Sequence, residues 1–436
     1  MTAGFAGGGW RPTATHARAV IGAAAGMVIA VVAGRPALAV ISFPLAVVAV
    51  WSVATRPSGR PSADASLAHR TVREGEATVW RARLTGTEAA DRLAFTLSYE
   101  PAFDTDPDTG AGTVAADGTA EATVTVAVRS NRWGRRVVGG GLIAAESSFG
   151  AFRFGPASLP PLPLDTLPLP AVFDNAAPVP DPQGLVGANH SRRQGDGTEF
   201  ATIRPFTTGD RLRRVHWPVS LRTGMLHVAA TYVDVDTNVQ IVVDATSDVG
   251  ASEGIDGEAS SLDRTVRAAG ALAEHFLRRG DRVGLRTSGT QRFVNVPVSS
   301  GVSHLLRILA ELSTLDAGAT RDRRWSKQPA GIEPGGLLIV LSPLLSPAAL
   351  EQVASLAVRH ARLVVVDTLP DDIVPQAAAF GTARALAWRI RLLERSVQIA
   401  ELARAGVPVT AWRGPGSLDT VLRDLARRAA APRLAR

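Results

Sequence analysis

The stretch GDGTEFATIRPFTTGDRLRRVHWPVSLRTGMLHV, residues 195–228, divides the chain. It sets the carboxylates Glu199 and Asp210 among Arg204, Arg211, Arg213, Arg214 and Arg222. Phe200, Trp217 and the turn residues Gly209 and Gly224 belong to the same stretch. The sequence on either side is rich in Ala, Val and Leu. The residues before the stretch read as membrane anchor and spacer, and those after it read as one α/β domain. The stretch itself, taken as residues 195–233, reads as a structural or docking hub and not as an active site.

Working back toward the N-terminus, residues 161–194 read as a Pro-rich linker, with LPPLPLDTLPLP from Leu159 and PVPDP from Pro178. Such composition favours an extended, semi-rigid connector. Over residues 62–160 the pattern has period two. Ala77 to Leu84 and Ala122 to Val128 alternate as half-buried strands do, with turn signals at Glu74-Gly75, Thr85-Gly86, Asp108-Thr109-Gly110 and Asp117-Gly118. These features predict a small antiparallel β-sandwich without a catalytic cluster.

Residues 17–56 hold two apolar runs, Ala19 to Gly34 and Ala37 to Thr55, broken by Gly34-Arg35-Pro36. A spanning helix needs about 20 apolar residues. The second run meets that length, and the first leans on flanking arginines that snorkel to the interface. A secretory signal peptide competes for the first run, but a second run following at once favours a transmembrane helical hairpin. Arg11, Arg18, Arg56 and Arg60 fall on one side of that hairpin against Arg35 on the other. The positive-inside rule then puts the soluble domains in the cytoplasm and the protein in the cell membrane. Residues 1–16 are Gly-rich and read as a disordered tail.

Downstream, residues 234–430 alternate strand-like and helix-like runs. Strands are expected at Val239 to Val243, Val283 to Arg286, Leu337 to Leu341, Leu363 to Val366 and Val407 to Trp412. Leu262, Val266, Ala269, Ala273 and Phe276 recur at helical spacing until Gly280. Further helices are expected at Val302 to Leu312, Pro347 to His360 and Ala385 to Ala405. This alternation predicts a mainly parallel, doubly wound sheet, with ligands at the carboxyl ends of its strands.

Composition narrows the function classes. The chain has 436 residues, a net charge of +7 and no cysteine. Thiol catalysis, zinc-thiolate sites and disulfides are therefore excluded. Lys327 is the sole lysine, so the positive charge is almost all arginine, suited to two-pronged grips on carboxylates or phosphates. GC-rich coding gives the same bias. Neither aromatic stacking repeats nor a basic helix motif supports a nucleic-acid partner.

The spaced residues Glu199-Phe200, Arg204, Gly209-Asp210, Arg213-Arg214, Trp217, Ser220, Arg222 and Gly224 resemble the signature of the bacterial family named domain of unknown function 58. Arg132 to Arg135 and Ser147 to Phe152 resemble its region upstream. Val215 replaces the family's isoleucine, Pro218 follows the tryptophan, and Leu221 stands where alanine is usual. The resemblance implies a Rossmann-like von Willebrand factor type A-like domain after the signature. It also implies a MoxR-type AAA+ ATPase as partner in the assembly or maturation of other proteins.

Two readings of the signature stay open: arginine–carboxylate pairs that lock a loop in place, with an arginine on the face of Trp217, or a partner-docking face. The type A-like resemblance further implies an Asp-x-Ser-x-Ser metal site, of which Asp244 and Thr246 are the surviving candidates. Asp248 stands where the second serine belongs, and Ser342-Pro343 where the distant aspartate would be expected. Asp244 then reads more simply as a cap for the following loop. His216 and His227 lack a third ligand, and Asp367 is a lone carboxylate that reads as a cap. No catalytic constellation is visible, so the chain reads as a membrane-anchored adaptor that is not an enzyme and needs no cofactor. The second reading is a metal-dependent, adhesion-type binding module holding Mg²⁺.

Overall fold

The architecture is that of a computed structural model. It describes residues 9–116, 118–169, 190–208, 210–234, 238–289, 293–316, 336–359, 363–371, 373 and 381–413, without the side chains of 190–201 and 231–234. The chain forms two compact units, residues 1–167 and 168–436.

In the first unit, α1 (Ala14–Val32) and α2 (Pro36–Ala54) pack as a hairpin, each 19 residues and each long and apolar enough to cross a membrane. Their touching faces are built from small residues. Ala23 and Ala30 of α1 and Ser42, Ala49 and Ser52 of α2 are buried, whereas Val31, Val32, Val40, Ile41 and Val50 are exposed. A Cβ at Gly26 would collide with Ser42 Oγ, so the close approach depends on glycine there. This is how helices associate where the surrounding solvent is itself apolar.

Short strands fill the rest of the unit: β1 (Arg11–Pro12), β2 (Ser62–Leu67), β3 (Thr71–Arg73), β4 (Ala77–Thr85), β5 (Arg92–Leu97), β6 (Phe103–Asp106) and β7 (Ala111–Ala115), then β8 (Glu121–Ser130), β9 (Gly134–Val138), β10 (Gly141–Glu146), β11 (Phe152–Ser158) and β12 (Leu162–Leu167). They form a five-stranded sheet in the order β1-β11-β10-β5-β7, a four-stranded sheet β2-β4-β8-β6 and a three-stranded sheet β3-β12-β9. The period-two pattern does what it predicts. Trp80, Ala82 and Leu84 of β4 face inward with Val124, Val126 and Val128 of β8, Trp80 lying opposite Val126. Gly141 admits the Trp80 ring, since a Cβ there would stand 2.8 Å from it.

Two boundaries expected from the sequence are corrected. Within the expected tail, Trp10 is buried in the sandwich core, its indole N–H donating to Gly59 O (3.0 Å), and Arg11–Pro12 pairs with β11. Residues 1–8 of that tail lie outside the described residues. Within the expected linker, β12 is a ladder strand. Leu164 is fully buried, and Pro163 precedes the point where β3 joins, so its missing N–H can face an unpaired side. The rest of the linker, residues 170–189, lies outside the described residues.

In the second unit, β13 (His190–Pro205) and β14 (His227–Asp234) form an antiparallel ribbon around the signature and its short helix α3 (Trp217–Thr223), so the ribbon begins before residue 195. A six-stranded sheet comes next: β15 (Asn238–Asp244), β16 (Arg282–Ser288), β17 (Asn295–Ser299), β18 (Leu337–Ser342), β19 (Leu363–Asp367) and β20 (Val409–Ala411), in the order β17-β16-β15-β18-β19-β20. All neighbours are parallel except β17, an antiparallel edge that the periodicity did not predict. The intervening helices are α4 (Ser261–Arg278), α5 (Val302–Leu312), α6 (Pro347–Arg359) and α7 (Thr382–Arg404). One face of the sheet, with Val242, Val340 and Val365, packs on Leu350, Val353 and Leu356 of α6 and Leu402 of α7. Helix α4 packs against β15, β16 and β18. A capping box fixes its start, with Ser260 and Asp263 satisfying each other's backbone N–H.

Candidate functional site

The signature folds into a loop, a 3-10 turn (Leu212–Arg214) and the short helix Trp217–Thr223, closed by the ribbon. Among the described side chains, an ion pair locks it. Arg204 grips Asp210 with two parallel bonds, of 2.7 and 2.6 Å, and also donates to Thr207 Oγ1 at 3.0 Å. Asp210 accepts as well from the backbone N–H (2.8 Å) and hydroxyl (2.9 Å) of Thr207. Arg204 first, and the Thr207 N–H second, hold the Asp210 carboxyl well below the usual carboxylate range.

Ser220 staples the helix to the ribbon. Its buried hydroxyl donates to His216 O (3.0 Å) and accepts from the His227 N–H (2.9 Å). Pro218 falls in the first helical turn, where its missing N–H costs nothing, and Gly224 closes the helix in the left-handed region at φ 72°. The local rule therefore absorbs the departure at Pro218.

The remaining signature residues part company. Arg213 and Arg222 are exposed, and Arg211 and Arg214 each have an interaction of their own; of the expected arginine–carboxylate pairs, the described side chains place Arg204 with Asp210. The side chains of Glu199 and Phe200, and Gly209 as a whole, lie outside the described residues. Among described residues, no arginine stacks on Trp217. The arginine–tryptophan stack is Arg132 over Trp133, at 5.8 Å. Trp217 is instead 60% exposed, in company with Leu212 (70%), Leu221 (80%) and Met225 (64%). Four large apolar side chains on one short segment, interleaved with exposed Arg213 and Arg222, make a surface of the kind that carries binding hot spots.

A second polar cluster sits at the carboxyl end of the sheet, where β15 and β18 meet. Asp244 is buried. It accepts from the Thr246 N–H (3.0 Å), the Thr246 hydroxyl (2.5 Å) and the Ser342 hydroxyl (2.6 Å). Burial pushes its pKa up, with the Ser342 and Thr246 bonds acting in the opposite direction. Asp244 and Thr246 thus do come together, as the metal reading requires. Asp248 accepts from the Leu262 N–H (3.0 Å) and Ser261 hydroxyl (3.4 Å) at the start of α4. Mg²⁺ demands six oxygens in near-octahedral array. One carboxylate already accepting three internal donors, with two hydroxyls turned onto it, is a poor match for that ion. Among the described residues, no group of three His, Asp or Glu gathers anywhere else.

Sequence reasoning missed the arginines that finish this edge. Arg391 of α7 donates twice to Leu345 O (3.0 and 2.6 Å), and Arg395 donates to Pro343 O (2.9 Å) and pairs with Asp367. Asp367 is therefore not the lone cap expected, although it does accept from the Leu369 N–H. Burial raises its pKa, with the Arg395 charge opposing. Between these anchors Leu344 is fully buried in the left-handed region, φ 51°, its N–H on Ser342 Oγ. The loop after β18 is held by side chains about 50 positions away.

Residues 202–398 match the family model described as protein of unknown function DUF58. Uncharacterized proteins of Mycobacterium bovis and of Mycobacterium tuberculosis, strains CDC 1551 and H37Rv, are each 28% identical over 241 residues, which cover 51% of this chain and 74% of theirs.

Proposed function

The chain belongs to the DUF58 family through residues 202–398, and from that premise we propose that it is a membrane-anchored adaptor. It holds other proteins and turns over no substrate. The observation that carries this reading is the exposure of Leu212, Trp217, Leu221 and Met225, interleaved with exposed Arg213 and Arg222, along one short segment. Arg204, Asp210 and Ser220 fix its backbone from behind, so the surface is presented ready-made and little ordering is needed on binding.

The hairpin of α1 and α2 is the membrane anchor, with the soluble parts in the cytoplasm on the arginine count. The six-stranded sheet, with its third strand antiparallel at the edge, supports a von Willebrand factor type A-like domain. The partner class, a MoxR-type AAA+ ATPase, is carried by family resemblance. An apolar surface rimmed by arginine suits a partner that offers an apolar pocket edged with carboxylates.

Recovery of such an ATPase from detergent extracts tests the proposal, wild type against Trp217→Ala plus Leu221→Ala. Losing a central aromatic anchor costs about 2 kcal/mol or more, about thirtyfold in affinity. Equal recovery from both proteins, or from neither, removes the adaptor reading.

A further inference from the structure

The loop between β10 and β11 carries an unusual residue in an unusual place. Ser148–Gly150 is a single 3-10 turn, and Phe149 at its centre has φ 59° and ψ 12°. The left-handed region suits glycine and is a genuine outlier for a bulky side chain. The turn is nonetheless fixed from several sides. Gly150 N–H donates to Ser147 O (2.9 Å), Phe152 N–H to Ser147 Oγ (3.0 Å), and Ser148 Oγ to Asp91 (3.1 Å). The result is a phenylalanine 62% exposed, held out from the sandwich by a rigid turn.

Its neighbours say what it faces. Thr13, which caps the start of α1, donates its hydroxyl to Gly150 O (2.7 Å) and its N–H to Ala151 O (2.9 Å). Phe149 is therefore one residue from the point where the first apolar helix begins. Helix α2 packs against the same turn, and Trp51, 58% exposed, lies one turn before that helix ends. Arg56, just past the end, stacks over Phe152 at 5.4 Å and donates to Trp10 O (3.3 Å). An exposed aromatic on the helix and one on the sandwich, with arginine at the same level, is the arrangement found where protein meets lipid headgroups.

We propose that Phe149 is a membrane wedge. The Ser148–Gly150 turn seats this side chain at the headgroup–acyl boundary beside Trp51, and so fixes the sandwich against the bilayer surface. The occupant is lipid, because the turn is continuous with the lipid-facing hairpin. The inference rests on the reading of that hairpin as a membrane anchor.

Absence of native cysteine makes the test clean. Single variants Phe149→Cys, Ser148→Cys, Val28→Cys and Val114→Cys of the full chain are spin-labelled in nanodiscs of phosphatidylcholine and phosphatidylglycerol. Collision with oxygen and with a water-soluble nickel chelate is then compared. Val114 lies on β7, at the far edge of the sheet from β1, four strand spacings or about 19 Å away. Val28 is an exposed residue of α1. The expected result is oxygen-dominated relaxation at 28 and, less deeply, at 149 and 148, with nickel-dominated relaxation at 114. Labels at 149 and 148 that match 114, while 28 reads as lipid, overturn the wedge and leave the anchor standing. A label at 28 that matches 114 overturns both.

Discussion

Ser342→Ala is the perturbation that the second unit should feel most. Its hydroxyl makes two buried hydrogen bonds, donating to Asp244 Oδ2 at 2.6 Å and accepting from the Leu344 N–H at 2.9 Å. Alanine leaves a buried carboxyl oxygen and a buried backbone N–H without these partners. Each such orphan costs about 1–3 kcal/mol, so the variant loses about 2–6 kcal/mol. For a unit of this size that corresponds to a fall of about 4–24 °C in Tm. The pH dependence adds a second signature. The folded pKa of Asp244 lies above its unfolded value of about 3.9, so the native state binds the extra proton, and stability declines as pH rises from there through the folded pKa. The Ser342 bond opposes that upward shift, so Ser342→Ala carries the decline to higher pH. Asp244→Asn abolishes it. In the double variant the cost of losing Ser342 shrinks, because no charge is left to desert. Differential scanning calorimetry of the full chain in detergent between pH 4 and 8 reads all three effects. An unchanged Tm for Ser342→Ala, or an unchanged pH slope for Asp244→Asn, refutes the reasoning.

Other perturbations test other parts of the structure. Arg395→Met leaves the carboxylate of Asp367 buried without its ion-pair partner, and a loss of about 3 kcal/mol is expected, partly recovered by adding Asp367→Asn; denaturant unfolding of the three variants checks it. Arg204→Lys replaces a two-pronged grip by a point charge, so chymotryptic cleavage near Trp217 at neutral pH should accelerate; in the wild type, protection against an acid-active aspartic protease should persist as pH falls through the ordinary carboxylate range, because the Asp210 pKa is depressed. Gly26→Leu forces a side chain into Ser42 across the hairpin, and the expected outcome is loss of the monodisperse peak on gel filtration in detergent, while Val31→Leu, on an exposed face, keeps it.

Much of the architecture was readable because local pattern and burial agree. Alternation at Trp80, Ala82 and Leu84 marks a strand with one buried face, and the spacing from Leu262 to Phe276 marks the buried side of α4. The misreadings have physical causes. Leu162–Leu167 looks like polyproline by composition, yet tertiary pairing makes it a strand. Asn295–Ser299 is short and contains Pro297, which an edge strand tolerates. Trp10 sits in a glycine-rich tail, but the sandwich core takes it up.

The candidate sites divide in the same way. Arg204 and Asp210, six positions apart, were legible as members of one arginine–carboxylate group, but which arginine meets which carboxylate was not. Ser342 and Asp244 are 98 positions apart and meet only once β15 and β18 align in the sheet. Arg391 and Arg395 look like the solvated face of a helix until the loop at Pro343–Leu345 is laid beside them. Nor does any pattern in the sequence say that Trp217 points outward; Ser220, buried three residues on, decides it.

The most direct measurement of the central claim is site-specific photo-crosslinking from Leu221 in intact membranes. A photoreactive residue replaces Leu221, which is exposed and makes none of the locking bonds of the signature. The account predicts adducts with an AAA+ ATPase that fall sharply when Trp217→Ala is added. Adducts that persist undiminished in that background, or crosslinks to water and to the chain itself alone, would contradict it.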